Sequence, residues 1–333
     1  MPQLAEEAAQ GPLSAEAMRQ AMERLMTGGM PAEEMRALLV ALAARGETAE
    51  ELAAAVQVVR AHAVPLAVAG ELCDTCGTGG DGQGTFNIST LAALVAAAAG
   101  VRIAKHGNRA ASGRCGSADL LEALGVSLEA NPAQVARSID DTGFGFCFAP
   151  AFHPAMQLVA SVRRELGIRT IFNLIGPLAN PAPLTTQLVG VSEERLMRPV
   201  AEALQRLGIR RGMVVRGVDG LDEVTTTGQT RVLELVSGTV EPSTIRSSEF
   251  GYSTVSVEAL RGGDAHANAK IAREVLRGRP SPHSNIVTLN AGCAIYVAEQ
   301  ARSLQEGVAR AEAALSSGRA AALLERVIER SKT

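Results

Sequence analysis

The first 65 residues carry the hydrophobic periodicity of short amphipathic helices that are separated by helix-ending residues. In the second predicted helix, Leu38 and Leu42 fall on one face together with the other large apolar residues. Thr48 and Glu51 have the spacing of a capping box, which predicts the start of a third helix. The residues that mark the predicted helix ends are Ser14, Gly28, Gly29, Pro31, Gly46 and Pro65. This segment therefore predicts a helical bundle.

From about residue 70 the pattern changes to short apolar runs that alternate with helical stretches. This alternation favours a mostly parallel α/β sheet covered on both faces, with ligands bound in loops at the carboxyl ends of strands. A helical stretch at 154–166 and a proline-containing segment at 170–183 interrupt the alternation, and we expect them to pack with the N-terminal bundle. Strands are predicted at 144–148, 187–191 and 213–215, and helices at 91–99, 118–124, 194–207 and 265–276.

Composition and charge narrow the function classes. The chain has 333 residues, of which 47% are hydrophobic and 20% charged, so it can bury a sizeable core and is not mainly disordered. With 32 basic and 35 acidic residues its net charge is -3, so no overall field attracts nucleic acid or anionic membranes. An anionic ligand must therefore be bound by a local site.

The apolar runs and the cysteines indicate a cytoplasmic protein. The longest apolar run, 91–101, is too short to cross a bilayer, and no apolar leader follows the first residues. The five cysteines are an odd number spread over a large chain, which is typical of reduced thiols. Cys73 and Cys76 have redox or zinc half-site spacing, but no second Cys or His pair completes it, which favours a structural interpretation.

A glycine-rich segment runs from Gly77 to Gly84 and leads through Asn87 into a helix. Glycines expose backbone N–H groups, and Ser89 or Thr90 can begin the helix, whose N-terminus favours phosphate. The segment predicts an anion-binding loop, with a tight turn and a polar helix cap as the alternative. A dinucleotide site is set aside, because the acidic residue that would bind ribose is expected roughly 20 residues on, and Ala97 to Lys105 contain no Asp or Glu.

Three further polar segments carry candidate chemistry. The loop 105–117 concentrates cations, an imidazole, an amide and hydroxyls that suit a polyphosphate, with a solvated loop as the alternative. Asp222-Glu223 offers hard oxygen ligands that hold Mg²⁺ together with substrate phosphates, unless the pair is only solvated charge. The segment 153–156 and the pair Arg163-Arg164 are, in isolation, also compatible with a helix cap and an exposed basic turn.

In their order and spacing these segments resemble the anthranilate phosphoribosyltransferases from end to end. Two positions differ from the family's usual residues: Gly113 and Thr225 stand where that family commonly has serine. The matching motifs are Gly77-Thr78-Gly79-Gly80-Asp81, Asn87-Ile88-Ser89-Thr90, Lys105-His106-Gly107-Asn108-Arg109, His153-Pro154-Ala155-Met156, Phe172-Asn173, Gly176-Pro177-Leu178-Ala179-Asn180-Pro181 and Asp219-Gly220-Leu221-Asp222-Glu223.

The resemblance implies a fold and a reaction. The fold is α/β, with a small helical domain from 1–65 and 154–183 and a large α/β domain from 70–153 and 184–333 around a mostly parallel central sheet. A homodimer would form through the helical part. The reaction would transfer phosphoribose from phosphoribosyl diphosphate to the amine of anthranilate, releasing diphosphate, in tryptophan biosynthesis. No nucleic-acid or membrane partner is expected.

The resemblance also implies site residues. Anthranilate would meet Gly77, Asn108 and Arg163, with His106 and His153 nearby. Two Mg²⁺ ions are implied, one with Ser89 as a ligand and another with Asp222 and Glu223. No covalent nucleophile is required, and a base role for His106 is a hypothesis. The residues expected to bind phosphoribosyl diphosphate are Gly77, Gly80, Asp81, Thr85, Asn87, Ile88, Ser89, Thr90, Lys105, His106, Gly107, Asn108, Arg109, Ala110, Ala111, Ser112, Gly113 and Ser117.

Two other functions stay open at this point. A pyrimidine nucleoside phosphorylase shares the fold and the phosphate chemistry, but the resemblance is poorer in the Lys105 to Arg109 loop and in the paired carboxylates. A non-catalytic nucleic-acid-binding relative should show a basic excess and eroded magnesium ligands. The net charge of -3 and the intact Asp222-Glu223 pair argue against it.

Overall fold

The computed structural model describes residues 3–110 and 114–332. The strands are β1 (Cys73–Gly77), β2 (Ile103–Gly107), β3 (Phe144–Phe148), β4 (Thr186–Gly190), β5 (Arg211–Gly217), β6 (Gln229–Val236) and β7 (Thr239–Arg246). The α-helices are α1 (Gln3–Gln10), α2 (Ala15–Met26), α3 (Ala32–Arg45), α4 (Ala49–Ala61), α5 (Ile88–Ala98), α6 (Ser117–Leu124), α7 (Pro132–Thr142), α8 (Ala149–Phe152), α9 (Gln157–Leu166), α10 (Ile171–Leu178), α11 (Met197–Arg206), α12 (Ala265–Leu276), α13 (Pro282–Val297), α14 (Leu304–Ser316) and α15 (Arg319–Arg330). Short 3-10 helices cover Pro154–Met156, Glu194–Leu196, Ser247–Phe250 and Val257–Leu260.

The strands form one seven-stranded sheet in the order β3-β2-β1-β4-β5-β6-β7. The pairs from β3 to β5 are parallel, whereas β5–β6 and β6–β7 are antiparallel. The strand order reverses between β1 and β4, which pair from Cys73 opposite Thr186 to Gly77 opposite Gly190. Ligands of such sheets bind at this reversal, outside the carboxyl ends of the strands. The predicted fold class, helical bundle plus α/β part with a mostly parallel sheet, is confirmed.

Side chains alternate between the two faces of the sheet and contribute to two hydrophobic cores. Along β4 and β5, Leu188 and Met213 belong to one core, whereas Val189 and Val214 belong to the other. The core that contains Leu188 and Met213 is completed by α5, α6 and α12 to α15. The core that contains Val189 and Val214 is completed by α10, α11 and the N-terminal helices. Burial on both faces explains why these central strands read as short apolar runs. Among the described residues, no helix has both the length and the apolar character needed to span a bilayer.

The N-terminal helices begin where the sequence predicts. The Ser14 side chain accepts from Ala17 N at the start of α2, and Thr48 and Glu51 form a reciprocal capping box at the start of α4. After β3 the chain returns to these helices, because α9 packs against α2 and α3, and α10 packs against α3 and α4. The division into two domains at the stated boundaries stays a prediction.

Several predicted elements differ in detail from the structure. The helix predicted from residue 91 begins at Ile88, whose side chain is only 1% exposed and belongs to the core that α5 covers. The helices predicted at 154–166 and 194–207 each begin as one 3-10 turn, a common geometry for a helix start. Strands β6 and β7 have no counterpart in the prediction. The edge strand β7 is mostly exposed and polar, so it carries no apolar run.

The buried carboxylate of Glu51 ties α4 to the segment before α2. Its Oε1 accepts from Leu13 N (2.8 Å) and Arg45 Nη2 (2.5 Å), and its Oε2 accepts from the Thr48 N–H and hydroxyl (both 2.9 Å). We predict that Glu51→Gln lowers the free energy of unfolding by about 3 kcal/mol, because the amide removes the charge that pairs with Arg45 and replaces one acceptor oxygen with a donor. Urea denaturation measures the change. The exposed neighbour gives the control, Glu50→Gln, which should stay within about 0.5 kcal/mol of the parent; equal losses would contradict this role of Glu51.

Candidate active site

The loops that follow β1 and β5 meet at the carboxyl end of the sheet. The first holds the glycine-rich segment, and the second holds Asp222 and Glu223. Gly79 N donates to Asp222 Oδ2 (2.7 Å), and Ser89 N donates to Glu223 Oε1 (3.1 Å). The structure therefore brings together the predicted anion-binding loop and the predicted metal ligands.

Glycine is required where Asp222 packs against the ends of two strands. A Cβ atom on Gly190 would lie 1.6 Å from the Asp222 carbonyl oxygen, and one on Gly77 would lie 2.2 Å from Asp222 Oδ2. A side chain at either position would displace the aspartate. In the loop itself, Gly79 and Gly80 have φ of +66° and +76°, which glycine adopts readily and other residues do not. The course of the loop and the place of the carboxylate thus both depend on glycine.

Negative charge is crowded at this position. Burial, and after it the neighbouring Asp81, raises the pKa of Asp222 to about 6. Burial and the charge of Asp222 raise the pKa of Glu223 well above its ordinary value, although the Lys105 ammonium and the Ser89 N–H oppose the shift. Crowded carboxylates of this kind favour the binding of a cation.

The donors present suit Mg²⁺, although they do not form a complete cage. In residues 3–110 and 114–332, no group of three or more His, Cys, Asp or Glu side chains is arranged to hold a metal ion. The oxygen donors in place are Ser89, whose N–H already holds Glu223, and Asp222, which lies beside Asp81. Mg²⁺ keeps several waters and takes one or two carboxylates together with substrate phosphates, so a partial set fits its chemistry.

The helix after the glycine-rich loop begins differently from the prediction. Asn87 is the N-cap residue of α5, so the expectation that Ser89 or Thr90 begins the helix is wrong. Asn87 makes no cap hydrogen bond because its amide is engaged elsewhere. Its Nδ2 donates to Cys115 O (3.0 Å), and its Oδ1 accepts from Asn268 Nδ2 (3.0 Å). Asn87 therefore ties the start of α5 to the loop after β2 and to α12.

Lys105 lies inside the protein. Its side chain on β2 is 2% exposed, and Nζ donates to Thr75 O on β1 (2.6 Å). The ammonium lowers the pKa of Glu223 and of Asp74, although burial leaves both pKa values raised overall. The solvated-loop interpretation of this segment is therefore wrong at Lys105, which supplies a fixed positive charge near the carboxylates.

The next residues of this loop pack closely on α6. A Cβ atom on Gly107 would lie 2.1 Å from Ser117 Oγ, and that hydroxyl donates to Asn108 O (3.3 Å). In the glycine-rich loop, Thr85 forms an isolated antiparallel bridge with Arg261. Gly107 is the last residue of β2, so Gly107 and Asn108 lie at the carboxyl end of that strand.

Arg109 is held by acidic residues of α6. Its guanidinium pairs with Asp119 (3.0 Å) and Glu122 (2.7 Å), and Asp119 also accepts from Ala110 N (2.9 Å). These contacts fasten the loop after β2 to α6. The remaining predicted positions of the loop, Ala111, Ser112 and Gly113, lie outside the described residues.

Two buried imidazoles face each other between β2 and α10. The ring centroids of His106 and His153 are 5.1 Å apart, edge to face. His106 Nδ1 lies 3.1 Å from Gly176 O, whereas His106 Nε2 is buried without a partner among the described residues. Burial lowers the pKa of His106 to about 3 and that of His153 to about 4, so both rings are neutral at pH 7. With Nδ1 donating to Gly176, Nε2 of His106 is left as an acceptor.

Burial distinguishes the two neighbouring arginines of α9. Arg164 is exposed, whereas Arg163 is half-buried with its guanidinium 5.2 Å from the centroid of the Phe172 ring. Burial lowers the pKa of Arg163, and no carboxylate of the described chain forms an ion pair with it. A partly desolvated cation beside an aromatic ring suits a ligand that carries both a carboxylate and an aromatic ring.

Sequence reasoning missed two side chains that hold the site loops. Arg169, between α9 and α10, donates from Nη1 to Gly79 O (3.2 Å). Asn290 on α13 accepts from Val224 N (2.9 Å) and donates to Val224 O (2.8 Å), directly after the paired carboxylates. Neither residue belongs to a local motif, because each acts on a loop that is distant in the sequence.

The structural interpretation of the Cys73 and Cys76 pair agrees with their placement. Cys73 is buried in the core that contains α5, and Cys76 packs against the opposite core. Both thiols are free, and burial raises the pKa of Cys73 to about 12. Thiols on opposite faces of a sheet cannot bind one metal ion.

Two family models match the chain. The glycosyl transferase family helical bundle domain matches residues 4–63, and the glycosyl transferase family a/b domain matches residues 69–321. The fold and these two matches define a glycosyl transferase made of a helical bundle and an a/b domain.

Individual relatives narrow this class. An anthranilate phosphoribosyltransferase from Rubrobacter xylanophilus is 53% identical over 277 residues, which are 83% of this chain and 81% of that protein. The crystal structure of anthranilate phosphoribosyltransferase from Thermus thermophilus has a TM-score of 0.94 at 48% identity and covers 99% of both chains. The Saccharomyces cerevisiae protein, solved in complex with PRPP and Mg, has a TM-score of 0.89 at 29% identity, covering 96% of this chain and 94% of that one. The chain belongs to the anthranilate phosphoribosyltransferase family.

The predicted family and activity are thereby confirmed. The chain is a glycosyltransferase of tryptophan biosynthesis that transfers a phosphoribosyl group to anthranilate. The phosphorylase and the nucleic-acid-binding alternatives are set aside.

The packing of Asp222 yields a stability prediction. Gly190→Ala should lower the free energy of unfolding by about 3 kcal/mol, because its methyl group overlaps the Asp222 backbone and the strand cannot move away. The control is Gly11→Ala, where no atom lies within 4 Å of an added Cβ and the change should stay below about 1 kcal/mol. Urea denaturation compares the two variants, and parental stability of Gly190→Ala would contradict the close packing.

Proposed function

We propose that the loops after β1, β2 and β5 bind phosphoribosyl diphosphate and that the adjoining pocket beside α9 and α10 binds anthranilate. The observation that carries this assignment is the junction of the glycine-rich loop with the paired carboxylates, through Gly79 to Asp222 and Ser89 to Glu223. Displacement at C1 of the ribose builds positive character on the sugar and negative charge on the departing diphosphate. A loop of exposed amides beside a cation site is suited to stabilise that charge.

The donor site uses the residues named from the motifs. Lys105 supports it as a fixed charge close to Glu223, since its burial prevents the ammonium from being screened by water. Support is least for Arg109, whose guanidinium is already paired with Asp119 and Glu122. The donor set is Gly77, Gly80, Asp81, Thr85, Asn87, Ile88, Ser89, Thr90, Lys105, His106, Gly107, Asn108, Arg109, Ala110, Ala111, Ser112, Gly113 and Ser117.

Two magnesium positions are proposed within this site. Ser89 would hold one ion, and Asp222 with Glu223 would hold another. Bound Mg²⁺ neutralises charge on the diphosphate and so makes it a better leaving group. The chain's part is to keep the ligands in place, since Gly79 N holds one carboxylate and Ser89 N the other.

Anthranilate would contact Gly77, Asn108 and Arg163. The Arg163 guanidinium would pair with the carboxylate of anthranilate, because a planar cation can form two parallel hydrogen bonds with it. This contact fixes the ring, so the amine faces the ribose of the donor. Alignment of this kind lowers the barrier without covalent chemistry.

His106 and His153 would line the same pocket as neutral acceptors. A pKa of about 3 makes His106 a poor general base at neutral pH, where effective bases have a pKa nearer 7. An aromatic amine attacks without prior deprotonation. His106 Nε2 would instead accept a hydrogen bond from the amine and orient its lone pair, which gives the orphaned nitrogen a partner.

We also propose a homodimer through the helical part and a cytoplasmic location. Val40 on α3 and Leu158 on α9 are 42% and 48% exposed, as expected for apolar residues covered by a partner. The cysteines are free thiols, as is usual in reducing compartments.

The direct test of the activity is to mix the protein with anthranilate, phosphoribosyl diphosphate and Mg²⁺ and to follow the loss of anthranilate fluorescence. We predict strict dependence on a divalent cation, because the paired carboxylates and the diphosphate otherwise repel each other. Excess EDTA should stop turnover, and added Mg²⁺ should restore it. Full turnover in EDTA would rule out the metal site.

The double variant Asp222→Asn with Glu223→Gln tests the metal ligands. We predict a fall in kcat of at least ~10²-fold, the scale of losing an electrostatic stabiliser. In a calorimetric titration with Mg²⁺ and diphosphate, the same variant should bind more weakly than the parent protein. Glu241→Gln on the exposed edge strand is the control and should match the parent. Parental turnover of the double variant would show that neither carboxylate holds a metal ion needed for the reaction.

Arg163→Ala tests the acceptor site. We predict a 10- to 100-fold rise, roughly, in the KM for anthranilate, since a hydrogen bond to a charged group contributes about 1.5–3 kcal/mol. The kcat at saturation and the KM for phosphoribosyl diphosphate should change much less. Arg164→Ala is the matched control because that side chain is exposed on the same helix. If only Arg164→Ala weakens anthranilate binding, the assignment within the pair is wrong.

A further inference from the structure

The last carbonyl groups of α10 are bound by side chains from three different elements. His106 Nδ1 on β2 lies 3.1 Å from Gly176 O, and Gln187 Nε2 on β4 donates to Pro177 O (2.7 Å). Arg60 at the end of α4 donates to Leu178 O from both Nε (3.1 Å) and Nη2 (2.6 Å). Three consecutive carbonyls of a helix end, which have no partners within the helix, are thus satisfied from outside.

The end of α10 needs such support because of its sequence. Pro177 lies inside the helix and has no N–H, so the bond that would run back to Asn173 O is missing. Fewer internal bonds therefore fix the last turn. The position of the Gly176 carbonyl, and with it the orientation of the His106 ring, depends on the external contacts.

Arg60 is unusual among these contacts. It is half-buried, and no carboxylate within residues 3–110 and 114–332 forms an ion pair with it. Burial lowers the pKa of Arg60 to about 10, which leaves it charged at neutral pH. A cation at a helix C-terminus is favourably placed against the partial negative charge of the last carbonyls. Its charge is therefore directed to α10 and not to an acidic partner.

The same guanidinium lies near the acceptor pocket. Burial is the main cause of the lowered pKa of His106 and of His153, and the Arg60 charge adds to the lowering of both pKa values. Because α4 also packs against α2 and α11, Arg60 connects the helical part of the chain with the pocket.

We propose that Arg60 is a positioning residue for the acceptor pocket: by holding the Leu178 carbonyl it fixes the end of α10, whose Gly176 carbonyl in turn keeps His106 with Nδ1 as donor and Nε2 as acceptor. The proposal rests on the proposed function for the identity of the acceptor. It differs from that function because Arg60 itself touches neither substrate.

The kinetic test compares Arg60→Gln and Arg60→Lys with the parent. Arg60→Gln should raise the KM for anthranilate about tenfold, the scale of one lost hydrogen bond to a charged group. Arg60→Lys keeps the charge and one donor, so it should raise this KM only about threefold. The KM for phosphoribosyl diphosphate should stay within about twofold for both. Arg19→Gln, on an exposed ion pair of α2, is the control and should behave as the parent. Equal rises in both KM values would contradict the proposal.

A second experiment uses NMR to observe the tautomer of His106 directly. The chain has five histidines, so ring ¹⁵N spectra of labelled protein are simple, and a His106→Gln sample assigns the His106 signals. In the parent at pH 7, His106 should show one protonated Nδ1 and a bare Nε2. In Arg60→Gln it should show a mixture of the two tautomers, with Arg60→Lys closer to the parent. An unchanged tautomer in both variants would overturn the proposal.

The two arms separate this proposal from the proposed function. If the parent protein fails to convert anthranilate, the proposed function is wrong, but the ¹⁵N spectra still decide whether Arg60 orients His106. If Arg60→Gln does not fold, Arg60→Lys decides both readouts, since its smaller predicted changes exceed those of Arg19→Gln.

Discussion

The close approach of Asp222 to the ends of β1 and β4 is the constraint on which the site depends. Two parallel strands end side by side in Gly77 and Gly190, and the missing side chains leave room for the aspartate between them. From there its carboxylate reaches Gly79 N and Glu223 reaches Ser89 N. The junction of the glycine-rich loop with Asp222 and Glu223 therefore follows from backbone packing.

The cost of this packing is repulsion among acidic groups. Asp81, Asp222 and Glu223 lie close together, and the buried Lys105 ammonium provides a compensating charge near Glu223. The fold thus holds a charge arrangement that is unfavourable by itself and that the proposed cations and diphosphate would stabilise.

The residues proposed to bind the acceptor carry no crowded negative charge, in contrast to the carboxylates of the proposed donor site. His106, His153 and Arg163 are buried to different degrees among apolar residues, and burial lowers the pKa of all three. The imidazoles are therefore neutral acceptors, while the arginine keeps its charge. The proposed donor site is therefore highly charged, whereas the proposed acceptor pocket offers two neutral imidazoles and one cation.

Much of this could be predicted from the sequence, because local signals carry it. Helical periodicity and caps placed α2 and the start of α4, and the alternation of apolar runs predicted a parallel sheet with its site at the strand ends. The glycine-rich motif and the Asp222-Glu223 pair are contiguous, so their chemistry is visible in the residues themselves. The antiparallel edge was not predicted, since β7 is polar and is stabilised by pairing with β6 rather than by an apolar pattern.

The sequence by itself thus determined the fold class, the family and the residue types of the site. Tertiary structure alone decided which of these residues meet. Arg60, Gln187 and His106 come from three distant segments and converge on α10, and Arg163 differs from Arg164 only through burial. No local pattern encodes such relations, because burial and long-range hydrogen bonds depend on where the whole chain places each element. The pKa of a histidine and the partner of an arginine are therefore properties of the folded molecule.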